Sequence, residues 1–185
     1  MKLKKFNFKT INSTNDLAIR IIKSSNIKKG IVIAEKQIKG RGQYGKKWIS
    51  HKGNLFVSIF FPINQTKLSL KNLTKINCQL VKKFISEFYK NKIFIKKPND
   101  LLINKKKISG ILQETFLKSN ERFIVIGIGI NLIKSPIIKA NPTTNLFDLT
   151  NVKVNSNYAA LKLKKIYEKF IPILPKFNVK NINNI

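Results

Sequence analysis

Residues 121–132, ERFIVIGIGINL, constrain the fold more than any other stretch, because side chains of both parities are apolar. A strand sends successive side chains to opposite faces, so a strand that is apolar on both must lie centrally in a sheet covered on both sides. Gly127, Gly129 and Asn131 interrupt this pattern. Glycine weakens a strand interior unless some other group must approach the backbone there. A surface cleared for a ligand and close packing of a helix against the strand both account for the pair.

The remaining segments supply partners for that strand. TNDLAIRIIK (14–23) places Leu17, Ala18, Ile21 and Ile22 on one helical face, with Ser13 or Thr14 as cap. GIVIAEKQ (30–37) and NLFVSIFFP (54–62) read as strands, the second stopped by Pro62. Leu73, Ile76, Leu80, Phe84 and Phe88 recur at three- and four-residue steps and predict a helix over 68–91. Residues 92–116 read as strand, proline turn, strand, tight turn at Asn104–Lys106, and strand. Helical spacing returns over 156–171, and 172–185 forms a polar tail with too little apolar content to predict order. Hairpin-connected strands with interspersed helices predict an α+β domain over 1–171, a mixed, largely antiparallel sheet with helices packed on it.

Composition narrows the chemistry. The one cysteine, Cys78, lies in a helical stretch and reads as core packing, and the one histidine, His51, sits in a polar turn, so triad or histidine-metal chemistry is not expected. No apolar run approaches the roughly 20 residues of a membrane span, and MKLKKFNFKT lacks a cleavable leader pattern, which predicts a soluble, cytoplasmic protein. The formal charge of +29 suggests a polyanion partner taken alone, but the lysines are scattered among asparagine and isoleucine, as a codon-biased genome would supply them. Specific DNA binding is therefore not expected.

Gly40-Arg41-Gly42-Gln43-Tyr44-Gly45 fits GxGxxG, yet the charged KKWISHKG that follows cannot open the apolar helix of a dinucleotide fold. Successive glycines flanked by Arg41, Lys46 and Lys47 read instead as a phosphate loop or as a flexible basic turn. Lys96-Lys97-Pro98-Asn99-Asp100 reads as a turn at a strand end. Strict alternation along 107–114 puts Lys107, Ser109, Ile111 and Gln113 on one face and Ile108, Gly110 and Leu112 on the other, with Gly110 open to a flat ligand.

Ser13-Thr14-Asn15, Ala34-Glu35 with Gln37, GRGQYGKKW (40–48), Gly53-Asn54-Leu55, KKPNDLLINKKKISGILQE (96–114) and IGIGIN (126–131), in this order, resemble the catalytic domain of bacterial biotin protein ligases. The resemblance implies a class II aminoacyl-tRNA synthetase/biotin ligase-like fold. It also implies an activity: Mg-ATP activates biotin as biotinyl-5′-AMP, and the biotin passes to a lysine of the apo biotin carboxyl carrier protein of acetyl-CoA carboxylase. ATP and Mg²⁺ would be required, with no tightly bound prosthetic group. By position, Lys107 and Arg41 match the catalytic lysine and ligand-binding arginine. Ser13, Thr14, Asn15, Gln37, Gly110 and Lys107 match the biotin site. Gly40, Arg41, Gly42, Gln43, Trp48, Lys96, Asn99, Asp100 and Asn131 match the ATP and adenylate site, with no metal ligand assigned beyond that side of the pocket.

Gln43 stands where many members carry a second arginine, and Lys97 where a tryptophan is common. Neither the DNA-binding helix-turn-helix of bifunctional members nor the usual C-terminal β-barrel is expected, while a homodimer is compatible with the family. A lipoate or octanoate ligase of the same fold is the rival enzyme, although its histidine partner is not found. A basic nucleic-acid-binding protein is the rival from another class.

Overall fold

Strand alternation divides β7 (Glu121–Ile130) cleanly: Ile124, Ile126, Ile128 and Ile130 enter the larger core, whereas Phe123 and Val125 enter a smaller one on the opposite face. Gly127 and Gly129 continue that second face into a cavity. The computed structural model describes residues 1–185, the side chain of Asn184 apart. Its seven-stranded sheet has the order β1-β2-β3-β7-β6-β5-β4, which puts β7 at the centre, as its two apolar faces require. β1 (Lys4–Ile11) runs parallel to β2 (Gly30–Gln37), and every other neighbouring pair is antiparallel: β3 (Leu55–Pro62), β7, β6 (Lys106–Lys118), β5 (Asp100–Ile103) and β4 (Phe94–Lys96). The sheet is mixed and largely antiparallel, as predicted.

Helix α1 (Thr14–Ser24) covers the smaller core with Ala18 and Ile22, and Ser13 caps it by accepting from the Asp16 N–H at 3.3 Å. Helices α2 (Leu70–Ile85) and α4 (Ser156–Phe170) cover the other face; a short α3 (Leu146–Thr150) precedes α4. Both hairpin turns around β6 use left-handed pairs, Asn104-Lys105 and Ser119-Asn120, whose positive φ values match the twist of the strands they join.

Four features depart from the sequence reading. β1 escapes it because its side chains are mostly exposed and polar, as befits an edge strand. Helix α2 stops at Ile85 rather than near 91: Glu87 and Phe88 donate three residues back, tightening the last turn so that Tyr89 and Ile93 can enter the core. The tail is ordered, with Phe177 edge-on to Phe170 at 5.3 Å and Ile182 buried beside α2. Most consequentially, Leu101 pairs with Ser109 but Leu102 with Lys107, so Ile108 is an extra residue. This β-bulge breaks strict alternation: Ile108 and Ile111 both enter the core, and Lys107 turns to the face of Gly110.

Cys78 is a buried core residue; burial, with the Asp100 charge adding to it, pushes its thiol up to about 12. No helix among the described residues is long and apolar enough to cross a membrane. One polar chain crosses the core between layers: the Tyr167 hydroxyl donates to Asn77 Oδ1 at 3.0 Å, and Asn77 Nδ2 donates to Gln113 Oε1 at 2.9 Å. Tyr167→Phe leaves the Asn77 oxygen buried without a donor and is expected to lower stability by about 1–3 kcal/mol, read from the urea midpoint at unchanged slope.

Candidate active site

The cavity beyond α1 has a volume of ≈ 510 Å³, and its floor is defined by what is missing from the backbone. Gly110 of β6 and Gly129 of β7 are directly paired across the ladder. A Cβ at Gly129 would stand 2.4 Å from the Trp48 ring, and one at Gly110 would stand 2.8 Å from it. The indole therefore lies on bare backbone, held from the loop side by the Trp48 N–H donating to Gly40 O at 2.9 Å. Its ring nitrogen, Nε1, is buried with no protein acceptor among the described residues. The two readings of the β7 glycines divide: Gly127 makes room for helix α1 through Asn15, whereas the flat group that lies on Gly129, and on Gly110 beside it, is the protein's own tryptophan.

Lys107 stands beside this floor, its Nζ 5.4 Å from the Trp48 ring centroid and 2.7 Å from Asp100 Oδ1. The bulge aims it there, and the segment before α3 supports it: Lys107 N–H donates to Pro142 O and Thr144 N–H to Lys107 O. Asn99 fixes the turn that carries Asp100, its side chain donating to Ile111 O at 2.6 Å while its own carbonyl accepts from the Ile111 N–H at 3.0 Å.

Residues 40–48 fold back on themselves. Gly42 N–H donates to Lys46 O at 2.7 Å, and a left-handed Tyr44-Gly45 pair makes the tip. These internal bonds use the N–H groups of Gly42, Lys46 and Trp48, so the loop is a flap that presents its side chains and its remaining amides to the cavity. Arg41 reaches from the flap to the Glu114 carboxylate at 2.8 and 3.0 Å and to Asp16 Oδ1 at 2.7 Å. Partial burial works against the guanidinium charge, but the two carboxylates outweigh it and hold Arg41 above its usual range.

Every residue assigned above to the catalytic, biotin or ATP site lines this one cavity except Gly40, which lies just behind Trp48, its Cβ position 2.6 Å from the Trp48 carbonyl. Several are already committed to protein partners. Thr14 N–H and hydroxyl both donate to Gln37 Oε1, at 2.8 and 3.0 Å. Asn131 is buried and donates to Thr144 O, so it braces the 134–145 segment from beneath. Sequence reasoning missed Pro136, Ile138, Asn141 and Thr143, which lie in a segment without periodicity. It also missed Glu114 and Asp16 as partners of Arg41, since a single carboxylate on a strand or helix carries no motif.

A family model for the biotin/lipoate A/B protein ligase family matches residues 7–131. The bifunctional ligase/repressor BirA of Escherichia coli is 35% identical over 125 residues, 66% of this chain and 38% of its own length. The Bacillus subtilis protein of the same name is 33% identical over 128 residues, 68% of this chain and 39% of its own. The chain thus spans about two-fifths of these curated relatives. Among solved structures, the biotin protein ligase from Aquifex aeolicus in complex with biotin and ATP superposes with a TM-score of 0.80 at 26% identity, covering 96% of this chain and 74% of that one.

Trp48 is the sole tryptophan, so its fluorescence reports on the floor alone. Gly129→Ala puts a methyl where the indole lies and is expected to displace it, shifting the emission maximum to the red in the native protein without loss of the far-ultraviolet circular dichroism signal. An unchanged spectrum would show that the ring does not rest on Gly129.

Proposed function

Because the chain belongs to the biotin/lipoate A/B protein ligase family, we propose that it activates biotin with ATP and transfers it to a lysine of a biotin carboxyl carrier protein. The observation that carries this reading is the convergence of Lys107, the Trp48 floor and the flap on one cavity large enough for a small carboxylic acid and a nucleotide.

In the first step a carboxylate oxygen of biotin attacks the α-phosphorus of ATP, and the bond to pyrophosphate breaks. Two anions must be brought together, so a cation on a rigid element contributes both positioning and charge. Lys107, aimed by the bulge, is that cation; the incoming carboxylate competes with Asp100 for its ammonium. Asp100 is the carboxylate lining the cavity, and it would hold Mg²⁺ together with the ATP phosphates, an arrangement typical of that ion. Bound there, Mg²⁺ would neutralise phosphate charge. Lys96, Asn99 and the rim lysines Lys46, Lys47 and Lys97 face the same side.

Ser13, Thr14, Asn15, Gln37 and the Gly110 backbone would receive the ureido end of biotin, with the Thr14–Gln37 pair exchanging its mutual hydrogen bonds for ligand bonds. Trp48 and Asn131 would border the adenine, and Gly40, Gly42 and Gln43 belong to the flap above it. In the second step the carrier amine attacks the acyl carbon of the mixed anhydride, the acyl–oxygen bond breaks, and AMP leaves. Closure of the flap excludes water that would otherwise hydrolyse the anhydride.

The purified protein, given biotin, Mg-ATP and an apo carrier domain, is expected to add one biotin mass to a single carrier lysine, as seen by intact-mass spectrometry. Lipoate offered in place of biotin should leave the carrier unmodified; modification by lipoate alone would move the assignment to the other branch of the family. Lys107→Ala is expected to lose at least about a hundredfold in rate.

A further inference from the structure

We infer that Glu114 and Asp16 are positioning residues for the flap, and that Arg41 is its latch and not the group that meets the reacting carboxylate. Only the kinetic arm below rests on the ligase reading.

The orientation of Glu114 is set from the core outwards. Ser58, fully buried on β3, donates to Asn15 Oδ1 at 2.5 Å. That leaves Asn15 Nδ2 as donor, and it bonds Leu112 O at 3.3 Å and Glu114 Oε2 at 2.7 Å. Asn15 fits only because β7 carries glycine opposite it: a Cβ at Gly127 would stand 2.3 Å from Asn15 Oδ1. Asp16 is set independently, by the Ser13 cap that engages its N–H.

Both carboxylates converge on one nitrogen, NH2 of Arg41. Two negative charges therefore face one positive charge at NH2, which weakens the field the guanidinium presents to a carboxylate or phosphate. What it does offer is a fixed attachment of the flap to α1 and β6 at once. The chain holds only eight acidic residues, and two of them meet here. Chance placement among 37 basic residues would seldom put both on the single arginine of a nine-residue flap.

The test begins without substrate. The flap carries tryptic sites at Lys46 and Lys47, and cleavage there reports how often it opens. Glu114→Ala is expected to speed cleavage at these sites at least about tenfold, with an unchanged far-ultraviolet spectrum and thermal midpoint within a few degrees. Glu114→Gln, which can keep the Asn15 bond but loses the charge, should fall between the two. Wild-type protection in both variants would overturn the proposal.

The kinetic arm separates a latch from a substrate ligand. Glu114→Ala and Arg41→Ala should raise the KM for biotin by similar factors, and the double variant should be no worse than either single one. Full activity of Glu114→Ala beside a large loss in Arg41→Ala would show that Arg41 meets the substrate directly. If the wild-type protein transfers no biotin, the ligase reading fails while the protease arm still decides the latch.

Discussion

The site depends on a cross-strand pair of glycines. Gly110 and Gly129 lie opposite each other in the β6–β7 ladder, and the indole of Trp48 occupies the space two side chains would fill. From that contact the rest follows: the tryptophan ends the flap, its ring borders Lys107, and its backbone closes the flap onto Gly40. Glycine in a strand interior costs stability relative to a packed side chain. Here the cost is borne on the face where β7 also gives up a side chain at Gly127 to admit Asn15, while the other face of the same strand stays wholly isoleucine.

That division explains how much of the molecule was legible in its sequence. FIVIGIGI announces both the central strand and the bare face, because period two separates isoleucine from glycine without knowledge of any partner. The register of β6 was not legible. Strict alternation pairs Lys107 with Ile111, but the bulge at Ile108 follows from how β5 and its turn meet β6, a tertiary relation with no local signature. A single inserted residue thus decides whether the lysine faces the core or the cavity. The order of the tail was equally hidden, since its few apolar side chains acquire meaning only from the α2 surface they meet.

Acidic residues are scarce enough for their placement to carry information. Of eight in the chain, Asp100 meets Lys107, and Asp16 and Glu114 meet Arg41. The rim lysines Lys46, Lys47, Lys96 and Lys97 line the same cavity and form no ion pair among the described residues. The cavity thus sorts its cations. Lys107 and Arg41 are held by carboxylates in defined directions, and the lysines at the mouth are not. The overall charge does not account for this sorting, which depends on where three carboxylates sit.

The two halves of the site also differ in what can move them. The floor is a matter of covalent backbone and steric exclusion, and neither salt nor modest pH change alters a missing Cβ. The flap is fastened by partly exposed ion pairs, which are worth little individually, weaken as salt rises and break without disturbing a core. The biotin transfer proposed above, which would admit two substrates, shield a labile anhydride and then expose it to a protein amine, would draw on both properties. A rigid surface would keep the reacting atoms in register, and a cover fastened by partly exposed ion pairs would open without unfolding anything beneath it.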